Sequence, residues 1–300
     1  MKPPISCCVG VIAFNEEKNI RFILEALVRQ RLETCEIREI VVVSSGCTDD
    51  TENIVTSVAR SNPRIRLIVQ KEREGKASAI NLFLAGAQGN VVVIESGDTV
   101  PDETAVEELV RPFLDPGVGM TGARPVPVNS AETFMGYTVN LFWHLHHEMA
   151  LEHPKLGELI AFRNIVREIP RNTAVDEASI EAIVIDAGYR IHYARSAVVR
   201  NKGPETISDF LKQRRRIMVG HKHLQVTHGY TVSSMKFRNL ARLFWRLVKG
   251  TDWTFKKALW TGAAILLEGY GRFLGDYDYY IKKKNPYAWD IAQSTKSLEK

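Results

Sequence analysis

Between residues 5 and 96 the chain alternates short β-rich runs with helical segments, and a cluster of small or polar residues follows every β-rich run. Residues 5–14 form an apolar run suited to a buried strand. Residues 16–30 then carry Ile20, Ile23, Leu24 and Leu27 at helical spacing. Strands are expected again at 37–43, 65–69 and 91–94, and helices at 49–60 and 76–87. Strand, helix and strand repeated in this way predict an α/β fold with a parallel sheet and right-handed crossovers. Ligands in such folds sit outside the carboxyl ends of the strands. At 300 residues, 45% hydrophobic and 25% charged, the chain has apolar material for one large domain with an appendage, or for two domains. That composition excludes a disordered or collagen-like chain.

The strand ends are the informative positions. Ala13, Phe14, Asn15, Glu16 and Glu17 follow the first strand; Asn15 can cap the next helix, and both glutamates suit its N-terminus. Ser44, Ser45, Gly46, Cys47, Thr48 and Asp49 follow the second. Small residues there permit a tight turn and let a flat ring lie against the backbone. Gly75 and Lys76 open the third helix. A lysine at that end opposes the helix dipole, which a phosphate would compensate. Glu95, Ser96, Gly97 and Asp98 follow the fourth strand, where Asp98 suits a metal or substrate role.

The second half is less regular. Helices are expected at 131–150, 176–187 and 208–219, a short strand at 157–163 and an extended segment at 189–193. Cys7, Cys8, Cys35 and Cys47 have no CxxC spacing, which fits neither a disulfide scaffold nor a zinc site and suits a reducing cytosol. The N-terminus reads as lacking a signal peptide, and the longest uncharged apolar run, residues 258–267, is too short to span a membrane. A net charge of +5 does not imply nucleic acid, and none is expected as a partner.

Together these motifs resemble glycosyltransferase family 2, the inverting enzymes of the A-type nucleotide-sugar fold. The pattern comprises an Asn-Glu after strand one (Asn15, Glu16), a small-residue turn after strand two, a Gly-Lys opening the next helix (Gly75, Lys76) and an acidic motif after strand four (Asp98). It continues through the Asp176-Glu177 pair and the run Gln213-Arg214-Arg215-Arg216. That run is similar to the Gln-x-x-Arg-Trp signature of membrane-associated polymerising members. The resemblance covers residues 5–220. Three positions depart from it: Ser44 and Ser96 stand where many members carry aspartate, and Ile217 replaces the tryptophan.

The resemblance implies a Rossmann-like, mixed but mostly parallel sheet flanked by helices in a catalytic domain (1–235). It implies transfer of mannose, glucose or N-acetylglucosamine from a nucleotide diphosphate sugar, with inversion at the anomeric carbon. Donor contacts are expected from Ala13, Asn15, Glu16, Ser44, Lys76, Ser96, Gly97, Asp98, Gln213, Arg215 and Arg216. Mn²⁺ or Mg²⁺ is expected on Asp98, with His221 as a further ligand. Guanidinium groups would neutralise the diphosphate. Glu177 matches the position of the general base, with Asp176 as the alternative, and Gly157 and Glu158 fall on the acceptor side. His144, His146 and His147 lack a metal-binding motif and suit structural or acceptor-side roles.

Residues 236–300 read as a basic, aromatic helical appendage. Arg238, Arg242, Arg246 and Lys249 share a helical face opposite Leu240, Leu243, Phe244 and Leu247. Trp253, Phe255, Trp260, Tyr270 and Phe273 add interfacial aromatics. The expectation is a peripheral or monotopic protein on the cytoplasmic leaflet, with a lipid-linked or glycan acceptor; the competing reading is a helical cap on the catalytic domain. A nucleotidyltransferase would need a Gly-rich loop after strand one, which is absent. A non-catalytic nucleotide-sugar-binding or scaffold protein is the remaining alternative.

Overall fold

A computed structural model describes residues 3–230, 253–284 and 293–295. An eight-stranded mixed sheet runs in the order β3-β2-β1-β4-β7-β6-β8-β5. The first half is β1 (Ile5–Ala13), α1 (Ile20–Val28), β2 (Cys35–Ser45), α2 (Thr51–Ser61), β3 (Ile65–Gln70), α3 (Lys76–Leu84) and β4 (Val91–Ser96). β1 pairs in parallel with both β2 and β4, and β2 with β3, as the alternation predicts. β5 (Thr99–Pro101), α4 (Ala105–Val110) and β6 (Val118–Pro127) follow, none of them anticipated from the sequence. Then come α5 (Phe134–Glu152), β7 (Ile160–Arg163), α6 (Asp176–Asp186), β8 (Arg190–Asn201), α7 (Ile207–His228) and α8 (Phe255–Tyr280). β7 runs antiparallel to β4 and β6, so the sheet is mixed from this point outward.

Each face of the sheet carries its own core, which is why the central strands are apolar at successive positions. Cys7, Val9 and Val11 of β1 face Ile23, Leu24 and Leu27 of α1 and Leu109 of α4. Cys8 and Ile12 point the other way, toward Ile80 and Phe83 of α3 and Ile180 and Val184 of α6. Gly10 is needed here: a Cβ at this position would stand 2.4 Å from the Phe83 ring.

Glu107 on α4 ties this core to the loop before β2. Its carboxylate, 3% exposed, accepts hydrogen bonds from the backbone N–H groups of Glu33 at 3.0 Å and Thr34 at 3.1 Å, and from the Thr34 hydroxyl. Burial alone would raise the Glu107 carboxyl; those donors hold it below its usual range. Glu107→Ala leaves the donors unpaired and is expected to cost about 3 kcal/mol in urea unfolding at neutral pH. Because the folded-state pKa is depressed, this contribution is present above the unfolded value and disappears as pH falls through the folded one.

α8 packs along α7. A Cβ on Gly271 would lie 2.9 Å from Arg214 Cβ, and one on Gly275 would lie 2.6 Å from Met218 Cβ. α8 also reaches α5, where Tyr137 and Thr261 hydroxyls are 2.8 Å apart and the Trp260 ring meets Phe134 and Tyr137 edge-on. This part of the expected appendage is therefore docked on the α/β fold. The basic amphipathic segment around 238–249 and the boundary at 235/236 lie outside the described residues. No described helix is long and apolar enough to cross a membrane.

Candidate functional site

A cavity of about 850 Å³ opens beyond the ends of β3 and β4 and is walled by α5, α6, α7 and α8. Lys76 occupies the first position of α3, after Gly75 at φ 96°. The helix dipole there is unfavourable to a cation, and carboxylates rather than a phosphate supply the compensation. Lys76 Nζ lies 2.9 Å from Asp176 Oδ2 and 2.9 Å from Glu177 Oε1, both in the first turn of α6. Burial alone would lower the Lys76 ammonium; the paired carboxylates hold it above its ordinary value. Burial presses both acids upward. The Lys76 ammonium more than offsets this for Glu177, which stays below the usual carboxylate range, whereas Asp176, crowded by Glu177, lies above it. The Glu177 side chain is 21% exposed and that of Asp176 5%.

Asp98 and Glu158 line the same end of the cavity. Glu158 has a φ of 60°, a left-handed conformation rare for a side chain of this type. Burial, followed by the Asp98 and Glu177 charges, pushes its carboxyl up to about 7. Asn201 Nδ2 donates to it at 3.3 Å. Glu95, fully buried at the end of β4, accepts from the Thr99 hydroxyl, and burial holds its carboxyl well above the ordinary range. Arg216 is half-buried, within electrostatic reach of Glu177, Asp176, Asp98 and Glu158. Carboxyls thus outnumber cations at this end.

Gln213, Gly157 and Arg216 line the cavity together with Lys76, Asp98 and the α6 pair. Arg215 does not join them. Its Nε and NH2 hold the Asp278 carboxylate at 2.7 and 2.8 Å on the α8 side. Successive residues of a helix are turned by about 100°, so one residue's difference takes Arg215 out of the site. His221 lines the cavity, but burial first, and then the Lys155, Arg272 and Arg214 charges within electrostatic reach, push it down to about 3. Neighbouring cations make that a poor setting for a metal ligand. Among the described residues, no group of His, Cys, Asp and Glu side chains is arranged to hold a metal by itself.

The first two strand ends form a separate, interlocked edge outside this cavity. Asn15, at φ 52°, accepts from the Thr48 N–H at 2.8 Å. Glu16 is buried, its N–H donating to Thr51 Oγ1 at 2.8 Å. The Ser44 hydroxyl donates to Glu52. Ala13 is buried beneath Gly97, where a Cβ would meet Ile12 O at 2.9 Å and Ala13 Cα at 3.1 Å. Ser96 is half-buried, and its carbonyl accepts from Thr99 at 3.1 Å. The sequence points to Asp98 but gives no site role to Glu95, nor to Lys155, Glu268 and Arg272. These last converge only in three dimensions.

This geometry can hold a cation against an anionic ligand and present an ionised carboxylate to a neighbouring hydroxyl. The chain spans 57% of the length of the probable glycosyltransferase YdaM of Bacillus subtilis, to which it is 26% identical over 75% of its own length. It spans 62% of a poly-β-1,6-N-acetyl-D-glucosamine synthase of Staphylococcus aureus, at 23% identity over 83% of its own length. The mannosyltransferase PcManGT of Pyrobaculum calidifontis, solved with GDP-Man and Mn²⁺, shares the fold at a TM-score of 0.65 and 22% identity, covering 94% of this chain and 89% of that one. Glucosyl-3-phosphoglycerate synthase from Mycobacterium tuberculosis, solved with Mn²⁺ and UDP, superposes at 0.52 with 19% identity, covering 76% and 82%. The fold is thus the A-type nucleotide-sugar fold. The family model for glycosyl transferase family 2 matches residues 8–183, and the chain belongs to that family.

Proposed function

We propose that this protein is a metal-dependent inverting glycosyltransferase that moves mannose, glucose or N-acetylglucosamine from a nucleotide diphosphate sugar to a lipid-linked or glycan acceptor. One observation carries the reading: Lys76 holds Asp176 and Glu177 at 2.9 Å each in the cavity that Asp98 and Arg216 also line. Glu177 is the general base, being ionised and the more exposed of the pair. It takes the proton of the acceptor hydroxyl as that oxygen bonds to the anomeric carbon. The bond from that carbon to the diphosphate breaks, and the nucleoside diphosphate leaves with the electron pair. A single displacement inverts the anomeric centre. Arg216 neutralises the leaving group.

The acidic end fits a hard divalent cation. Asp98 and Glu158 offer oxygen ligands from one end of the same cavity. Asp98 would hold Mn²⁺ or Mg²⁺, with Glu158 beside it. When bound, such an ion supplies Lewis-acid stabilisation of the diphosphate. Mn²⁺ accompanies GDP-Man in PcManGT and UDP in the mycobacterial synthase. Slow release of nucleoside diphosphate from GDP-mannose or UDP-glucose, with water as acceptor and Mn²⁺ present, tests the activity. Nucleotide binding without any release would favour the non-catalytic reading.

A cytoplasmic-leaflet location is part of the proposal. Phe255, Leu259, Leu266, Tyr270, Phe273 and Tyr277 form an exposed stripe along α8, with Leu266 76% and Phe273 65% exposed. Lys256 lies at one end of the helix, and Lys282, Lys283 and Lys284 lie at the other. An apolar stripe between basic ends suits an anionic bilayer surface. Leu266→Glu combined with Phe273→Glu is expected to reduce co-sedimentation with phosphatidylglycerol vesicles at least about tenfold, with a melting temperature near wild type. Unchanged sedimentation would remove α8 from membrane docking.

A further inference from the structure

The cavity has a second end of opposite charge that the displacement chemistry does not use. His146 on α5, Lys155 in the loop after it, Arg214 and His221 on α7, and Arg272 on α8 all line it. Glu268 lies 3.3 Å from Arg214 Nε and 2.8 Å from Arg272 Nε, so one carboxylate serves two guanidiniums. Arg214 also lies over the Phe142 and Phe210 rings, 5.5 and 5.0 Å from their centroids. The other nearby acid, Glu181, accepts from the Tyr230 hydroxyl, and burial pushes its carboxyl up to about 7, which weakens it as a counter-charge.

Lys155 has no carboxylate within ion-pair distance among the described residues. Burial and the adjacent Arg214 and Arg272 lower its ammonium to about 8. His146 and His221 are pushed down to about 3, by burial first and then by these cations. Among the described residues, the buried Nδ1 atoms of both histidines have no hydrogen-bond partner. Partly buried positive charge left short of counter-charge is costly, and an anion with several acceptor oxygens relieves it. A phosphate can accept from the Lys155 ammonium, the guanidiniums and neutral imidazole N–H groups together.

We propose that this inner basic chamber binds a phosphate ester carried by the acceptor. The loop from Lys155 to Glu158 links the chamber to the acidic end, so a phosphate-bearing acceptor would extend its hydroxyl toward Glu177. The acceptor role rests on the transfer reading above; the phosphate site itself is tested without turnover. The shared chemistry is a phosphomonoester, either on a small soluble molecule or at a lipid headgroup.

The test titrates the full chain with glycerol 3-phosphate, and separately with phosphatidylcholine vesicles with and without phosphatidic acid. Wild type is compared with Lys155→Met, Arg272→Gln and the conservative Lys155→Arg. Glycerol 3-phosphate is expected to raise the melting temperature of wild type. Affinity should fall about tenfold or more in Lys155→Met and Arg272→Gln and largely return in Lys155→Arg. Binding of phosphatidic acid vesicles alone, lost in Lys155→Met, places the phosphate on a lipid and supports the same chamber. No binding of either probe, or equal binding by wild type and Lys155→Met, overturns the proposal. Stabilisation by nucleotide, measured on the same samples, reports on the donor reading independently.

Discussion

Glu177→Gln is expected to slow glycosyl transfer by about 10²–10⁴-fold while nucleotide binding and melting temperature stay near wild type. The amide keeps the size of the side chain and an oxygen for Lys76 but cannot take a proton. Glu177 is the more exposed member of the pair, and the Lys76 ammonium keeps it ionised. Asp176 is 5% exposed, carries a raised pKa and has little access to a hydroxyl entering from the cavity. Asp176→Asn is therefore expected to cost less in turnover than Glu177→Gln. The reverse order in single-turnover kinetics would move the base to Asp176.

Lys76→Met is expected to cost about 3 kcal/mol or more in stability and to abolish transfer. Removing one partner of a buried ion pair leaves the opposite charge uncompensated, typically a loss of 3–5 kcal/mol. Here two carboxylates share the one ammonium at 2.9 Å each, and burial already presses both toward protonation. Without Lys76 at least one of them should take up a proton at neutral pH, and Glu177, the proposed base, loses the ammonium that holds its carboxyl down. Urea unfolding between pH 5 and 8 checks this. The deficit of the variant should be smallest at the acid end, where protonation relieves the pair. A variant as stable as wild type at pH 8 would show that the carboxylates are better solvated than the geometry implies.

The alternation of apolar runs made the β1 to β4 half legible, because a strand buried on both faces needs an unbroken apolar run. The region from β5 to β6 was not legible. β5 has three residues and α4 six, too short for a period to register. β6 contains Pro125 and Pro127. Both lie beyond its antiparallel pairing with β7, which covers only Met120 to Gly122, so the missing N–H groups take no bond from that ladder. Within the site, Asp98, Lys76, Glu158 and the Asp176-Glu177 pair were readable because each stands in a local motif. The destinations of three successive arginines were not. Arg216 faces the acids, Arg214 faces Glu268 and Arg215 pairs with Asp278. That division depends on α8, which joins α7 through Gly271 and Gly275 and brings Arg272 and Glu268 into the cavity.

In the proposed reaction the acidic end of the cavity takes a metal-bound nucleotide diphosphate. A thermal-shift panel of GDP, UDP, dTDP and ADP, each with and without Mn²⁺, tests it on wild type and on Asp98→Asn. A ligand that binds only the folded state raises the melting temperature by mass action. A Mn²⁺-dependent rise with at least one nucleotide is expected in wild type, and its loss in Asp98→Asn. No rise with any nucleotide, or a rise that Asp98→Asn leaves intact, would contradict it.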